Sequence, residues 1–459
     1  MGVLLRLAFL SVPLITDEAG YAYVAHWMAR GLALYTDLWF DRPQGIFLVY
    51  GMQMAVLGES TEAIRLGAAL YNGVTTVLVH ALGRTLATPR VGLASAGLFA
   101  LASASPAIEG FTANGELYMN LPVVACLLLA AHGRWTWSGV ALALAVAVKP
   151  TAVLSAGPAL AVLLLWARRP ATVLRRCVLV AAGLVVGVAP FVAHGVATDA
   201  ALYWYSVVGF RVQAHSALSV GGALVRDLLQ TAPTVTAALL PLWVLVAIGG
   251  YAGGWTRAGV AGMALLGGAV AGAALGGYWY WHYYVGLVPG AALLGALGMA
   301  WVLDRRHRAL AAVLLLATLV AVGFNARLVG TARETSWRLY GRPAYLQSSA
   351  IADYVRARTG EQDTIYAAFA QADLYHLSGR RSAGRHLYWT EINRAPGALE
   401  AVIEMLDDPA RRPAYVIEIE RELEVPGRSA AFWERVERYY MPEREIGGFM
   451  LYRRRENGA

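Results

Sequence analysis

Apolar stretches recur along most of this chain, at roughly 62–86, 91–106, 117–132, 136–148, 150–167, 176–195, 232–250, 257–276, 284–303 and 308–325, separated by short polar breaks. Gly2–Ile15 precedes them and brings the count to eleven. A soluble core has no room for so many successive apolar helices. A bilayer accepts them, because each helix satisfies its own backbone polar groups. Composition agrees: 15% of the 459 residues are charged and mean hydropathy is +0.50, whereas soluble domains carry about 25% charged residues. The expected class is a polytopic α-helical membrane protein with about eleven transmembrane helices. The Gly2–Ile15 stretch is short for a span, which points to a start upstream of Met1. It holds one basic residue, Arg6, inside the apolar run and no small-x-small site before Asp17, so it reads as a helix rather than a signal peptide.

The net charge of +8 does not suggest nucleic acid, because the basic residues fall in short runs between apolar stretches. With a cytoplasmic N-terminus, the inner loops collect Arg84, Arg90, Arg134, the run Arg168/Arg169/Arg175/Arg176, Arg257 and the run Arg305/Arg306/Arg308. The outer loops collect the Asp17-Glu18 stretch, Glu109–Glu116, Lys149, Thr198–Gln230 and Gly276–Tyr283. That alternation follows the positive-inside rule. Pro43–Leu57 and Asp199–Leu229 are amphipathic and expected at the interface. Cys126 and Cys177 sit in separate apolar stretches and suggest neither a disulfide nor a metal site.

After Phe324 charge becomes dense. Helix-like Leu346–Arg358, apolar Thr364–Phe369, helix-like Gly397–Leu406, strand-like Ala414–Ile419, helix-like Ala430–Tyr440 and strand-like Gly448–Tyr452 follow in turn. This alternation predicts a small extracytoplasmic α/β domain over 329–459, behind a membrane module over 1–328.

The outer stretches hold the residues that can carry chemistry. Acidic groups beside a membrane are costly and by default functional. Asp17 and Glu18 read as a general base or electrostatic stabiliser, or else as the capped first turn of a helix. Asp41 and Arg42 read as an anion site, with guanidinium matching phosphate, or as a snorkelling interfacial anchor. Glu116 reads as a second carboxylate with Asn114 as a partner for hydroxyls, or as a charge favoured by the dipole of the helix it opens. Lys149, the only lysine, reads as an anion contact or a turn residue, and Arg211 is a further cation. His282, Tyr283 and Tyr284 offer phosphate donors within an aromatic belt. No metal-ligand spacing accompanies them, so no metal or other cofactor is expected from the motifs.

The order of these features resembles the GT-C glycosyltransferases of the dolichyl-phosphate-mannose protein mannosyltransferase and aminoarabinose transferase type. The resemblance covers roughly residues 10–330 and is densest over 16–120. It rests on Asp17-Glu18 after the first span, Gly31-x-x-x-Tyr35-x-Asp37, Arg42-Pro43, Leu57–Ser60 with Arg65, Glu116 opening a later span, Val148–Thr151, and His282-Tyr283-Tyr284 with Pro289 beyond. It implies a catalytic outer loop over 16–61, with Asp17 as catalytic base. Arg42 stands where the family usually has a lysine on the donor phosphate, Glu116 at the second acidic position, and Tyr283 or Tyr284 at the tyrosine before the later span. It further implies a polyprenyl-phosphate-linked sugar donor, inversion at the anomeric carbon, and a lipid, glycan or protein acceptor outside the cytoplasm. The expected location is the inner membrane, and the resemblance leaves a divalent metal open. A transporter or flippase of lipid-linked sugar is the alternative, although no paired repeat is evident. A non-catalytic scaffold is a third reading.

Overall fold

The computed structural model describes residues 2–167, 169–217, 222–275, 278–305, 307–326 and 330–455. Arg168 and Arg306 of the basic runs, Gly276 of the loop expected outside, and the 327–329 junction lie outside the described residues.

The apolar stretches are helices. Thr61–Leu86, Pro89–Ala102, Gly115–Ala131, Trp135–Val148, Ala152–Leu165, Pro170–Trp204, Arg257–Leu275, Val288–Asp304 and Arg308–Ala326 correspond to nine of the eleven. Among the described residues four helices are long and apolar enough to cross a membrane, and a fifth is a bent pair. Valines 178, 185 and 186 of Pro170–Trp204 are exposed, as lipid-facing residues are. This is an integral membrane protein. Helices approach closely at small residues: a Cβ on Gly139 would overlap the Val180 carbonyl, and one on Gly183 would overlap that of Thr136.

Three expectations about boundaries change. The first stretch is helical only over Gly2–Leu7, followed by turns to Ser11 and irregular chain to Ile15. Arg6 ends that helix buried, its guanidinium on the carbonyls of Gly2, Ser103 and Gly110. The 232–250 stretch is two helices, Gly222–Ala238 and Leu240–Gly253, with axes of the pair bent by 86° at Leu239. Pro241 lacks the N–H that would continue the first helix. Asp199 is not a loop start but a kink inside Pro170–Trp204, with φ −165° and ψ 107°. Its carboxylate accepts from Leu202 N at 2.9 Å and restarts the helix. A π-helical turn, Tyr205–Gly209, and the helix Phe210–Ala217 follow.

The C-terminal region builds a five-stranded sheet from β1 (Thr364–Ala367), β2 (Arg381–Ser382), β3 (Tyr415–Ile417), β4 (Tyr440–Ile446) and β5 (Phe449–Arg454), in the order β2-β1-β3-β5-β4. β1 lies parallel to β2 and β3, with Ile365 opposite Tyr415, and β5 is antiparallel to β3 and β4. The polar β4 escapes sequence reading because it carries Pro442, which an edge strand tolerates. Gly447 and Gly448, both at positive φ, turn β4 into β5. The helix Ala430–Tyr439 covers the sheet with Phe432, Trp433 and Val436.

This region docks on the first polar segment, residues 16–61. Ser382 N donates to Tyr23 Oη at 2.9 Å, Trp39 N to the Arg385 carbonyl at 3.3 Å, and Tyr388 Oη to the Thr16 carbonyl at 3.2 Å. Tyr345 Oη pairs with Thr16 Oγ1 at 2.6 Å. Each tie reaches the segment carrying Asp17.

Candidate functional site

The helix Thr16–Met28 starts without a side-chain cap at Ile15. Glu18 supplies the missing acceptor. Its Oε2 accepts from Ile15 N at 3.0 Å and from Arg65 Nη2 at 2.8 Å, and its Oε1 accepts from Ala113 N at 2.6 Å. Both side chains of that ion pair are at most 1% exposed. Glu18 thus ties three segments together and has no oxygen left over.

Asp17, one residue earlier, points away from this buried pair. It is half-buried, lines a cavity of about 790 Å³, and makes no hydrogen bond or ion pair among the described residues. The cavity lies between the first polar segment, the aromatic turn at 278–283 and the C-terminal region.

Its cationic side is built on Asp41. Asp41 Oδ1 accepts from Arg42 Nη1 at 3.0 Å, and Oδ2 is ion-paired with Arg211 Nε. One buried carboxylate thereby aims two guanidinium groups into the same space. Tyr35, held at φ +82°, donates from Oη to the Arg42 carbonyl at 3.1 Å and fixes the turn. Arg211 arrives from the helix after the π-turn, a juxtaposition no spacing in the sequence announces.

The aromatic turn supplies another wall. His282 Nδ1 lies 3.1 Å from Glu109 Oε2, and both residues line the cavity, as does Tyr283. Glu116 and Lys149 do not line it. They form a buried ion pair behind it, and Lys149 Nζ sits 4.3 Å from the Tyr283 ring centroid. Asn114 also lies off the cavity, its Nδ2 on Thr112 Oγ1 at 2.9 Å. Tyr284 turns away, its hydroxyl 3.0 Å from Thr231 Oγ1. Of the residues singled out in the sequence, Asp17, Asp41, Arg42, Arg211, His282 and Tyr283 therefore share one cavity. Glu18, Glu116, Asn114, Lys149 and Tyr284 support it from behind or stand aside.

The sequence missed the fourth wall. Gln371, Tyr388, Glu391 and Arg394 come from the C-terminal region. Charge density and helix–strand alternation marked that region as a domain, but no spacing tied it to the first loop. Among the described residues no group of three His, Cys, Asp or Glu side chains is placed to hold a metal. The donor set does not fit one either: both Asp41 oxygens face arginines and Glu109 faces His282.

With this geometry in hand, comparisons with known proteins bear on it. The sequence profile of the dolichyl-phosphate-mannose-protein mannosyltransferase family matches residues 41–196. A search of curated proteins finds no match. Among solved structures, ArnT from Cupriavidus metallidurans bound to undecaprenyl phosphate superposes with a TM-score of 0.71 at 12% identity, covering 98% of this chain and 96% of that one. The fold is GT-C. The apo state of the same ArnT gives 0.70 at 13% identity over the same shares of the two chains. The Archaeoglobus fulgidus oligosaccharyltransferase tethered to an acceptor peptide gives 0.56 at 12% identity, covering 99% of this chain and 73% of that one. At such identities the likeness is one of fold. The GT-C arrangement of apolar helices under a smaller C-terminal region is what brings Asp17, Arg42 and Gln371 to one space.

Proposed function

We propose that this protein is a membrane glycosyltransferase that moves a sugar from a polyprenyl-phosphate carrier to an extracytoplasmic acceptor, with inversion. The observation that carries the reading is the pairing, across one cavity, of a carboxylate without a partner among the described residues with two arginines held on a single aspartate. In the reaction the acceptor's hydroxyl or amine attacks the anomeric carbon and the bond to the carrier phosphate breaks. Asp17 takes the acceptor proton as general base. Arg42 and Arg211 hold the departing phosphate, whose charge rises as the bond lengthens. Glu18 positions the helix that presents Asp17. The Glu116–Lys149 pair backs Tyr283. The profile match and the ArnT likeness support the carrier chemistry, and charge alternation supports an orientation with the cavity outside.

Purified protein reconstituted with polyprenyl-phosphate sugars tests this. Asp17→Asn is expected to abolish transfer while donor binding persists, by analogy with the roughly 10²–10⁴-fold contribution of a general base. Turnover near the unaltered level in Asp17→Asn removes Asp17 from the mechanism.

A further inference from the structure

The C-terminal wall of the cavity holds two buried polar side chains, each with one polar atom that finds no protein partner among the described residues. Gln371 is 3% exposed and lines the cavity, and its Nε2 is unpartnered among the described residues. Glu391 is 2% exposed and lines the same cavity. Its Oε2 accepts from Leu387 N at 2.9 Å and Tyr388 N at 3.3 Å, while Oε1 is unpartnered among the described residues. Buried groups left in this state are rare in folded proteins, because losing water without gaining a partner is costly. The backbone around Gln371 is also held against its preference, with φ +67° there and +61° at Phe369. Backbone strain of this kind concentrates where a side chain must meet a ligand.

We propose that Gln371 and Glu391 read the hydroxyls of a sugar in the cavity, an assignment that rests on the transferase reading above. An amide N–H donor beside a carboxyl suits hydroxyl groups, which both give and accept hydrogen bonds. The pair does not suit phosphate, because neither side chain brings positive charge, whereas Arg42 and Arg211 on Asp41 do. Burial, with Asp41 adding to it, pushes the Glu391 carboxyl well above the ordinary range. A neutral carboxyl can donate as well as accept. The hydroxyls belong either to the donor's sugar or to a glycan acceptor.

The experiment uses the full-length protein in lipid nanodiscs and two substitutions. Glu391→Gln keeps an oxygen for Leu387 and Tyr388 but replaces the carboxyl with an amide. Gln371→Gly removes the amide and suits the left-handed backbone. Binding is measured for bare undecaprenyl phosphate and for the same carrier bearing mannose, glucose, galactose or arabinose. Each substitution is expected to weaken the preferred sugar-bearing carrier about tenfold, the worth of a single hydrogen bond of about 1.4 kcal/mol, with the bare carrier unchanged. Where the hydroxyls are the acceptor's, donor affinity stays constant and the acceptor KM rises about tenfold. Gln371→Gly is further expected to raise the unfolding temperature, which loss of a purely structural contact would lower. Equal weakening of bare and sugar-bearing carrier overturns the proposal, and so does an unchanged donor affinity together with an unchanged acceptor KM. Failure of the unaltered protein to bind any carrier overturns the transferase reading and this one with it.

Discussion

Gly20→Ala tests whether the C-terminal wall is seated on the helix that carries Asp17. Gly20 is buried in that helix, and a Cβ there would fall inside the Tyr388 hydroxyl, 2.9 Å from Tyr388 Cζ and 3.1 Å from Phe40 Cε2. Tyr388 has little freedom to retreat. Its ring packs edge-on against Phe40 with centroids 5.2 Å apart, and its hydroxyl donates to the Thr16 carbonyl. Overpacking of this kind costs about 1–3 kcal/mol, and losing the hydrogen bond adds roughly 1 kcal/mol. Alanine's better helix propensity returns up to about 1 kcal/mol. The net expectation is a loss of roughly 1–3 kcal/mol, concentrated at the contact between the two regions. Tryptophan fluorescence during denaturant unfolding, combined with limited proteolysis, measures it. Tyr388→Phe removes the atom that is struck first, so Gly20→Ala in that background should cost less, with a coupling of about 1 kcal/mol or more. A Gly20→Ala protein as stable as the original, or stabilised as an ordinary helical glycine would be, refutes this seating. So does strict additivity with Tyr388→Phe.

Three further outcomes are expected. Glu18→Gln leaves Arg65 buried beside a neutral group and should destabilise by about 3–5 kcal/mol, whereas Asp17→Asn should leave the melting temperature unchanged; thermal unfolding of the two variants separates the structural carboxylate from the proposed catalytic one, and equal losses would sink the distinction. Burial pushes the Asp373 carboxyl up to about 7 from 3.8. A raised acid favours the folded state in its neutral form, fully below about pH 4, and loses that contribution as pH climbs to about 7; Asp373→Asn should therefore be more stable than the original at pH 8 by up to roughly 4 kcal/mol and nearly equal at pH 4, and parallel unfolding curves across that window would refute it. Arg42→Ala should weaken binding of bare undecaprenyl phosphate more than Asp17→Asn does, by about tenfold or more for a charge-assisted contact, as read by competition with labelled carrier; equal affinities would exclude the phosphate role.

The apolar stretches determined the class and most of the helices, because helices in a bilayer must be long, apolar and self-satisfied, and that requirement is written in consecutive residues. The bend at Leu239 and the kink at Asp199 are absent from the sequence reading, in which 232–250 is one stretch. The carboxylates and cations between the apolar stretches were legible, since charge beside apolar sequence is costly enough to stand out. Their division of labour was not. Asp17 and Glu18 are neighbours with the same chemistry, and only the arrival of Arg65 and Ala113 from distant segments consumes one and leaves the other without a partner among the described residues. In the same way Lys149 found Glu116, and Arg211 found Asp41, across separations that periodicity does not encode. Gln371 and Glu391 left no trace in the sequence, since an amide and a carboxylate in a charged region look like ordinary surface. Burial and the absence of a partner are what set them apart, and both are properties of the packed chain rather than of its order of residues.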